Sequence, residues 1–290
     1  MDVVDDILNE KPNETENWKD KKTSERKELN AMVDYMIAGI GSDSSVFMRY
    51  LETQSHFDRY SVTNTLLIQR QNKDAVQLKD FDGWSKEGVS IKKGEKAIRI
   101  FEPNGEYKTK SGKTRPNFDI KKVFDISQTS AENQEQKKTT FDAKILVRAL
   151  MNDSPVEIKG VDNLENNLAA FYDHEEKTIY VRRGMSPQEI FRALAAELAH
   201  AEIALQNKEY NRNDAALSAY CVSFMLSKKV GIDVSSFRFD KVHESFIGKD
   251  EKYIKSKLTE MHDAVANIYS RMARELYEKA KPTKSVDQER

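Results

Sequence analysis

Hydrophobic and polar positions divide the chain into two patterned regions with a polar stretch between them. In the first region, apolar residues recur at helical spacing over 22–39 and 44–57, and a third helix is predicted to begin near Ser61. Three later segments alternate apolar and polar positions as strands do: 75–81, 96–103 and 118–126. Turns are expected at three glycine-containing pairs: Asp82-Gly83, Lys93-Gly94 and Asn104-Gly105. The first region therefore predicts helices followed by a small antiparallel sheet.

The second region predicts a hairpin followed by helices. Two strand-like segments flank a predicted turn: 168–173 and 177–184. Ser186 and Glu189 form a capping box that marks the start of a helix. A second helix is predicted to begin near Asn213 and to end at Gly231, and the last helix covers residues 250–280. This region is thus expected to be mainly helical.

The polar stretch 127–141 has almost no apolar periodicity, which is typical of a linker or a long surface loop. We therefore expect an α+β protein with two domains: N-terminal helices with a small antiparallel sheet, then a mainly helical domain with a short hairpin. The predicted boundaries are a polar tail at 1–20, a first domain at 21–129, a linker at 130–141 and a second domain at 142–290.

Composition and charge restrict the class of protein. The chain has 290 residues, of which 38% are hydrophobic and 33% charged, and its formal net charge is −1. The single cysteine, Cys221, excludes a disulfide framework and a thiolate zinc cluster. No apolar run reaches the ~20 residues of a membrane span, and the acidic N-terminal residues lack the pattern of a signal peptide. A cytoplasmic protein without a membrane partner is expected.

One part of the chain departs from this neutral average. Residues 70–125 contain 14 Lys or Arg and 9 Asp or Glu, a local net charge of +5. Aromatic residues alternate there with basic ones: Phe81, Trp84 and Phe101 with Arg70, Lys79, Lys86, Lys92, Lys93, Lys96 and Arg99. Basic groups neutralise phosphates and exposed rings stack on unpaired bases, so such a surface can bind a single strand. The alternative is that the aromatic residues form a core and the lysines a solvated face, which a net charge as modest as +5 leaves open.

Several motifs follow one another in this region. They comprise an N-x-x-L-I helix and two aromatic and basic blocks: Asn64, Leu67 and Ile68; Phe81 and Trp84; Val89, Lys93, Gly94, Glu95, Lys96, Ile98, Ile100 and Pro103. Together with VFDISQT at 123–129, these blocks resemble the N-terminal domain of ArdC-type antirestriction proteins, which mobile elements carry. The resemblance covers roughly residues 30–129. It implies non-specific binding of single-stranded DNA and protection of incoming DNA from host nucleases. The predicted DNA-binding residues are Asn64, Arg70, Phe81, Trp84, Lys92, Lys93, Lys96 and Arg99.

The helix that follows the capping box contains a second motif, AELAH at 196–200. It differs by one residue from the H-E-x-x-H zinc motif, in which two histidines bind the metal and the glutamate is the general base. Glu197 and His200 match this motif, but Ala196 replaces the first histidine. The same helix is expected to place three apolar residues inward: Leu194, Leu198 and Ile203.

The hairpin, the capping box, AELAH and the segment 218–233 together resemble a zincin-like metallopeptidase domain of the ImmA/IrrE type. Alignment on the shared Gly-Ile-Asp places Tyr220 where relatives have the glutamate that is the third metal ligand. A catalytic zinc site needs three protein ligands and an open position for water, so His200 alone cannot hold the metal. The spacing of three further candidates does not suggest that they substitute: Glu202, His243 and His262.

The resemblance therefore implies a zincin fold that is kept as a scaffold, without metal, cofactor or catalytic activity. Ala196, His200 and Tyr220 are its degenerate metal positions, and Glu197 and His200 are vestigial. The expected function is non-specific binding of single-stranded DNA by a protein of a mobile genetic element. Two alternatives remain: an active zinc metallopeptidase, and an inhibitor whose partner is a host defence protein.

Overall fold

The computed structural model describes residues 14–109, 111–132 and 140–280, with side chains from residue 20 to residue 277. Its contacts form two compact units. The first takes its residues from Met1–Gly39 and Leu66–Asn133, and the second from Ile40–Thr65 and Gln134–Arg290. Most of the predicted polar tail at 1–20 and of the linker at 130–141 lies outside the described residues, so the predicted domain boundaries stay predictions.

The first unit combines helices with a small antiparallel sheet. Its elements are α1 (Glu14–Ser42), α3 (Val62–Gln71), β1 (Leu78–Lys79), α4 (Phe81–Lys86), β2 (Ile98–Lys108) and β3 (Thr114–Asp125). The strand order is β1-β3-β2, and Ile98 lies opposite Val123 in the β2–β3 register. These two side chains are buried, as are Leu66 and Leu67 of α3. The predicted order of helices and then an antiparallel sheet is therefore confirmed for this unit.

Two of the three predicted turns are wrong. At Asp82-Gly83 the chain instead forms α4, because the Asp80 side chain caps this helix by accepting a hydrogen bond from the Gly83 N–H at 2.8 Å. Asn104-Gly105 lies within β2 as a bulge, which the positive φ of Gly105, 68°, permits. The turn at Lys93-Gly94 is confirmed. Helix α1 also begins earlier than predicted, inside the expected polar tail.

The second unit is mainly helical. Its elements are α2 (Ser44–His56), α5 (Ala143–Met151), β4 (Glu157–Val161), β5 (Ala170–Asp173), β6 (Thr178–Arg182), α6 (Pro187–Gln206), α7 (Arg212–Val230) and α8 (Glu251–Ala280). The predicted hairpin is confirmed as β5 and β6, which pair antiparallel. Strand β4 was not predicted and pairs parallel to β6, giving the order β4-β6-β5.

Local signals account for the helix boundaries in this unit. Ser186 and Glu189 form both hydrogen bonds of the capping box at the start of α6, and Gly231 ends α7 in the left-handed conformation at φ 80°. Helix α6 packs against α5, α7, α8 and the hairpin. Its three predicted inward residues are buried, and so is the apolar face of α8: Ile254, Leu258, Met261, Val265, Ile268, Met272 and Leu276. None of the described helices is both long and apolar enough to cross a membrane.

Candidate functional site

A groove of about 850 Å³ lies on the first unit. It is formed by α1, the end of α3, the segment that leads into β2 and the turn after β3. Its lining residues are Met32, Gln71, Asn72, Lys93, Gly94, Glu95, Lys96, Ala97, Ile98, Arg99, Ser127 and Gln128. Three of the four basic residues predicted between Lys92 and Arg99 therefore line one cavity.

The basic side chains of the groove differ in their pairing. Lys93 and Lys96 are exposed, and in the described part of the chain neither forms an ion pair with a carboxylate. The Arg99 guanidinium instead donates to both carboxylate oxygens of Glu28, at 2.8 and 2.6 Å. This hydrogen bonding raises the pKa of Arg99 and lowers that of Glu28. Lys93 and Lys96 are thus the groove cations with charge available to a ligand.

The segment that carries the two lysines is held in place on both sides. Gly94 adopts φ 91°, a left-handed conformation that a side chain disfavours. Gln128 donates to the carbonyl of Lys96 at 2.8 Å, and Gln71 bonds both the N–H and the carbonyl of Arg99, at 3.0 and 2.9 Å. These hydrogen bonds fix the backbone at Lys96 and Arg99, next to the glycine turn that carries Lys93.

Lys92 lies beside the groove and is already engaged. Its ammonium group pairs with Glu132 and donates to the Ser127 carbonyl at 3.0 Å. Its backbone N–H also donates to the carbonyl of Gln128. These contacts tie the segment to the turn after β3, and the role of Lys92 as a phosphate contact stays a prediction.

The structure corrects the predicted role of Trp84 as a base-stacking residue. The side chain is only 1% exposed, and its indole N–H donates to the Phe124 carbonyl at 2.9 Å. The ring is thus a core residue, as in the alternative interpretation of the aromatic pattern. Phe81 is 62% exposed, but it does not line the groove.

The other two predicted residues lie on α3. Asn64 is buried and belongs to the second unit, so its side chain is not presented to a ligand. Arg70 is exposed, and its guanidinium lies 5.2 Å from the ring centre of Tyr35, a residue of α1 that is itself 67% exposed. The sequence interpretation missed Tyr35, because it lies outside the basic and aromatic stretch.

The second unit contains the AELAH motif in a buried cluster. Glu197 of α6 accepts a hydrogen bond from the Tyr172 N–H of the hairpin at 2.8 Å. Both of its oxygens also accept from Arg212 at the start of α7, at 2.9 and 2.7 Å. Glu197 thus acts in the structure as an anchor between α6, α7 and the hairpin.

His200 lies one turn further along α6 and is buried. Its Nδ1 is 3.1 Å from the Tyr210 hydroxyl. Burial, together with the charge of Arg212, lowers the pKa of His200 to about 3. The imidazole is therefore neutral near pH 7, and its Nδ1 is hydrogen-bonded to the neutral hydroxyl group of Tyr210.

The residues around His200 do not fit a catalytic zinc site. Ala196 has no donor atom, and the Tyr220 hydroxyl accepts from the Arg238 N–H at 2.7 Å while its ring packs against Phe237. In the part of the chain that the structure describes, no group of three His, Cys, Asp or Glu side chains is arranged to hold a metal. The fixed positive charge of Arg212 beside the cluster also opposes a second cation.

The candidates for substitute ligands are engaged elsewhere. Glu202 forms an ion pair with Arg271 at 2.6 Å, and His243 is hydrogen-bonded to the Ser44 hydroxyl at 2.7 Å. His262 contacts Asp263 at 2.8 Å. In the described residues, none of the three joins His200 in a group of three potential metal ligands.

Comparison with known proteins relates the first half of the chain to a family. Residues 27–146 match the family model described as the N-terminal domain of anti-restriction factor ArdC. No curated protein matches the chain. Among solved structures, the Mn(II)-bound antirestriction ArdC protein from plasmid R388 is similar at a TM-score of 0.53 and 16% identity, over 84% of this chain and 98% of that chain. The metal-free structure of the same protein gives a TM-score of 0.48 and 16% identity, over 74% of this chain and 86% of that chain.

An identity of 16% shows a shared fold and no more. The manganese is a property of the R388 protein. The family match covers the groove with Lys93 and Lys96, and it ends before the hairpin and α6. Residues 27–146 thus match the N-terminal domain family of the anti-restriction factor ArdC, and the chain as a whole has a fold similar to that of the R388 ArdC protein.

Proposed function

We propose that this chain is an antirestriction-type protein of a mobile genetic element, which binds single-stranded DNA through the groove of its first unit. The observation that carries the proposal is the pair of exposed lysines, Lys93 and Lys96, on an ordered segment of the groove. This segment lies within the residues that match the ArdC N-terminal domain family. The second unit is proposed to be a zincin-like domain without metal and without hydrolytic activity.

The chemistry of the groove favours a phosphate backbone bound without sequence preference. Lysine ammonium groups contact phosphates as point charges, and such contacts position a strand without reading its bases. The amide side chains that could read base edges are largely used within the protein: Gln71 and Gln128 both hold the segment of the two lysines. Binding should therefore depend on salt more than on sequence.

The cluster around Glu197 supports the proposal that the second unit is not a peptidase. A zinc peptidase needs a bound water that its glutamate can deprotonate. Here the Glu197 carboxylate is 9% exposed and is held by Arg212 and the Tyr172 N–H. Protection of transferred DNA would then depend on the first unit, with the second unit as a scaffold.

Lys93→Ala tests the groove. Wild-type protein is expected to bind single strands with a salt slope of about −1.4, from the two phosphates that Lys93 and Lys96 neutralise at about −0.7 each. Lys93→Ala should reduce the magnitude of this slope by about 0.7, because it removes one phosphate contact. It should weaken the binding of all DNA sequences alike. Fluorescence-anisotropy titrations at several salt concentrations measure both quantities.

Lys86→Ala is the matched control for this measurement. Lys86 is an exposed lysine of the same unit that lies on α4 and does not line the groove, so its loss should leave the slope unchanged. Equal effects of the two substitutions would mean that the groove is not the binding site. Wild-type protein that shows no affinity for a single strand at low salt would contradict the proposed function.

Metal content tests the proposal for the second unit. We expect purified protein to contain far less than one zinc or manganese ion per chain, because Ala196 and Tyr220 supply no ligand to His200. Elemental analysis of the protein used for the DNA titrations measures this directly. One tightly held metal ion per chain that disappears in His200→Ala would show that the site binds metal after all.

A further inference from the structure

Tyr35 is a large exposed aromatic side chain with an unusual neighbour. It lies on α1 and is 67% exposed, and the exposed Arg70 of α3 places its guanidinium 5.2 Å from the ring centre. This is a cation–π contact, with a planar charged group beside a planar ring. An exposed aromatic ring with one basic neighbour has the composition of a surface that stacks nucleobases and attracts phosphates.

The position of Tyr35 on α1 connects it to the groove. Met32 and Tyr35 follow Glu28 by four and seven positions, so the three residues lie on the same face of α1. Glu28 binds Arg99, which lines the groove, and Met32 lines it directly. From α3, Gln71 lines the groove and Arg70 precedes it in the helix. Tyr35 and Arg70 therefore lie on the two helices that line the groove, just outside the lining residues Met32 and Gln71.

We propose that Tyr35 and Arg70 form the base-stacking platform of the single-strand interface, with Tyr35 as the binding residue and Arg70 as the group that positions its ring. The ligand class is an unpaired nucleobase, because bases in a duplex are already stacked on their neighbours. This inference rests on the proposed function, and it assigns the stacking role to a residue outside the stretch from which the sequence predicted it. Trp84 is buried and cannot take this role, and Phe81 lies on α4, which contributes no residue to the groove lining, whereas α1 and α3 both do.

The proposal divides binding into two physically distinct contributions. Lys93 and Lys96 neutralise phosphates, so their contribution depends on salt. Tyr35 stacks on a base, so its contribution should be nearly independent of salt and of base identity. The two contributions can therefore be separated in one set of titrations with the full chain.

Tyr35→Ala is expected to weaken binding of fluorescein-labelled oligo(dT) by roughly 5- to 100-fold while the salt slope stays unchanged. Because Tyr35 is exposed, the circular-dichroism melt should match that of the wild type. Tyr35→Phe keeps the ring and should bind within about threefold of the wild type. If Tyr35→Ala binds like wild-type protein, or if Tyr35→Phe is as weak as Tyr35→Ala, the stacking platform is refuted.

Phe81→Ala is a matched control, since Phe81 and Tyr35 have similar exposure, 62% and 67%. It should leave affinity unchanged, and a larger loss in Phe81→Ala than in Tyr35→Ala would move the stacking site to α4 and overturn the proposal. Ultraviolet cross-linking to oligo(dT), followed by peptide mass spectrometry, should yield an adduct at Tyr35. An adduct at Phe81 in place of Tyr35 would be the contrary result.

Arg70 is tested through its coupling to Tyr35. If Arg70 acts by positioning the ring, Arg70→Ala weakens binding on its own, but the double variant binds no more weakly than Tyr35→Ala. Fully additive losses would show that Arg70 does not act through the ring. These outcomes are distinct from failure of the proposed function, in which the wild-type protein itself does not bind a single strand.

Discussion

Replacement of Trp84 by alanine is expected to destabilise the first unit by about 3–5 kcal/mol, the cost typical of removing a large aromatic side chain from a core. The indole is fully enclosed, and its N–H satisfies the Phe124 carbonyl of β3. Trp84→Ala removes both the packing and this hydrogen bond. Urea unfolding followed by circular dichroism measures the loss, and hydrogen exchange of peptides from β2 and β3 assigns it to the first unit.

Phe81→Ala provides the comparison within the same short helix. Because the Phe81 ring is exposed, its removal should change the free energy of unfolding by less than about 0.5 kcal/mol. Trp84→Ala should lose DNA binding only in proportion to the fraction of the protein that is unfolded. A Trp84→Ala protein that is fully folded but binds DNA weakly would contradict the core assignment and restore the stacking role.

The two aromatic residues of α4 show where prediction from sequence reaches its limit. Spacing identifies Phe81 and Trp84 as part of one motif, but it cannot decide which ring is buried. The outcome depends on α4, which begins because Asp80 caps it, and on β3, which supplies the Phe124 carbonyl from 40 residues away. The sequence predicted a turn at this position, where the structure has α4.

Three features of the helices that depend on neighbouring residues were predicted well. The capping box at Ser186, the glycine end of α7 at Gly231 and the apolar face of α8 all follow from short-range patterns. Elements that depend on pairing with distant residues were not predicted. Strand β4 exists because it pairs with β6, and no local pattern predicted it.

The same distinction applies to the candidate sites. The sequence identified Lys93 and Lys96 at a glycine turn and the pair Glu197 and His200 at helical spacing; the structure has the turn at Lys93-Gly94 and both Glu197 and His200 on α6. It missed Tyr35 and Arg212, since each has a partner on another helix: Arg70 and Glu197. No local signal marks such partners, because only the packing of helices brings them together.

Arg212→Met should produce the largest effect in the second unit. It leaves the Glu197 carboxylate, 9% exposed, with the Tyr172 N–H as its remaining partner. Loss of one partner of a buried ion pair costs about 3–5 kcal/mol, and the 34% exposure of the Arg212 side chain places the expected value at about 2–4 kcal/mol. Methionine can still pack against the Phe171 ring, over which the guanidinium lies at 4.7 Å, so the loss reports mainly on charge.

Glu197→Gln should cost less, about 1 kcal/mol, because the amide oxygen can still accept from the Tyr172 N–H and Arg212 can be hydrated. The double variant is then expected to be more stable than Arg212→Met alone, because the unpaired buried carboxylate is gone. Urea unfolding of the wild type, the two single variants and the double variant measures this double-mutant cycle. If Glu197→Gln instead leaves stability intact and abolishes a biological activity of the chain, Glu197 has a chemical role; if Arg212→Met is as stable as wild-type protein, the ion pair does not anchor α6 to α7.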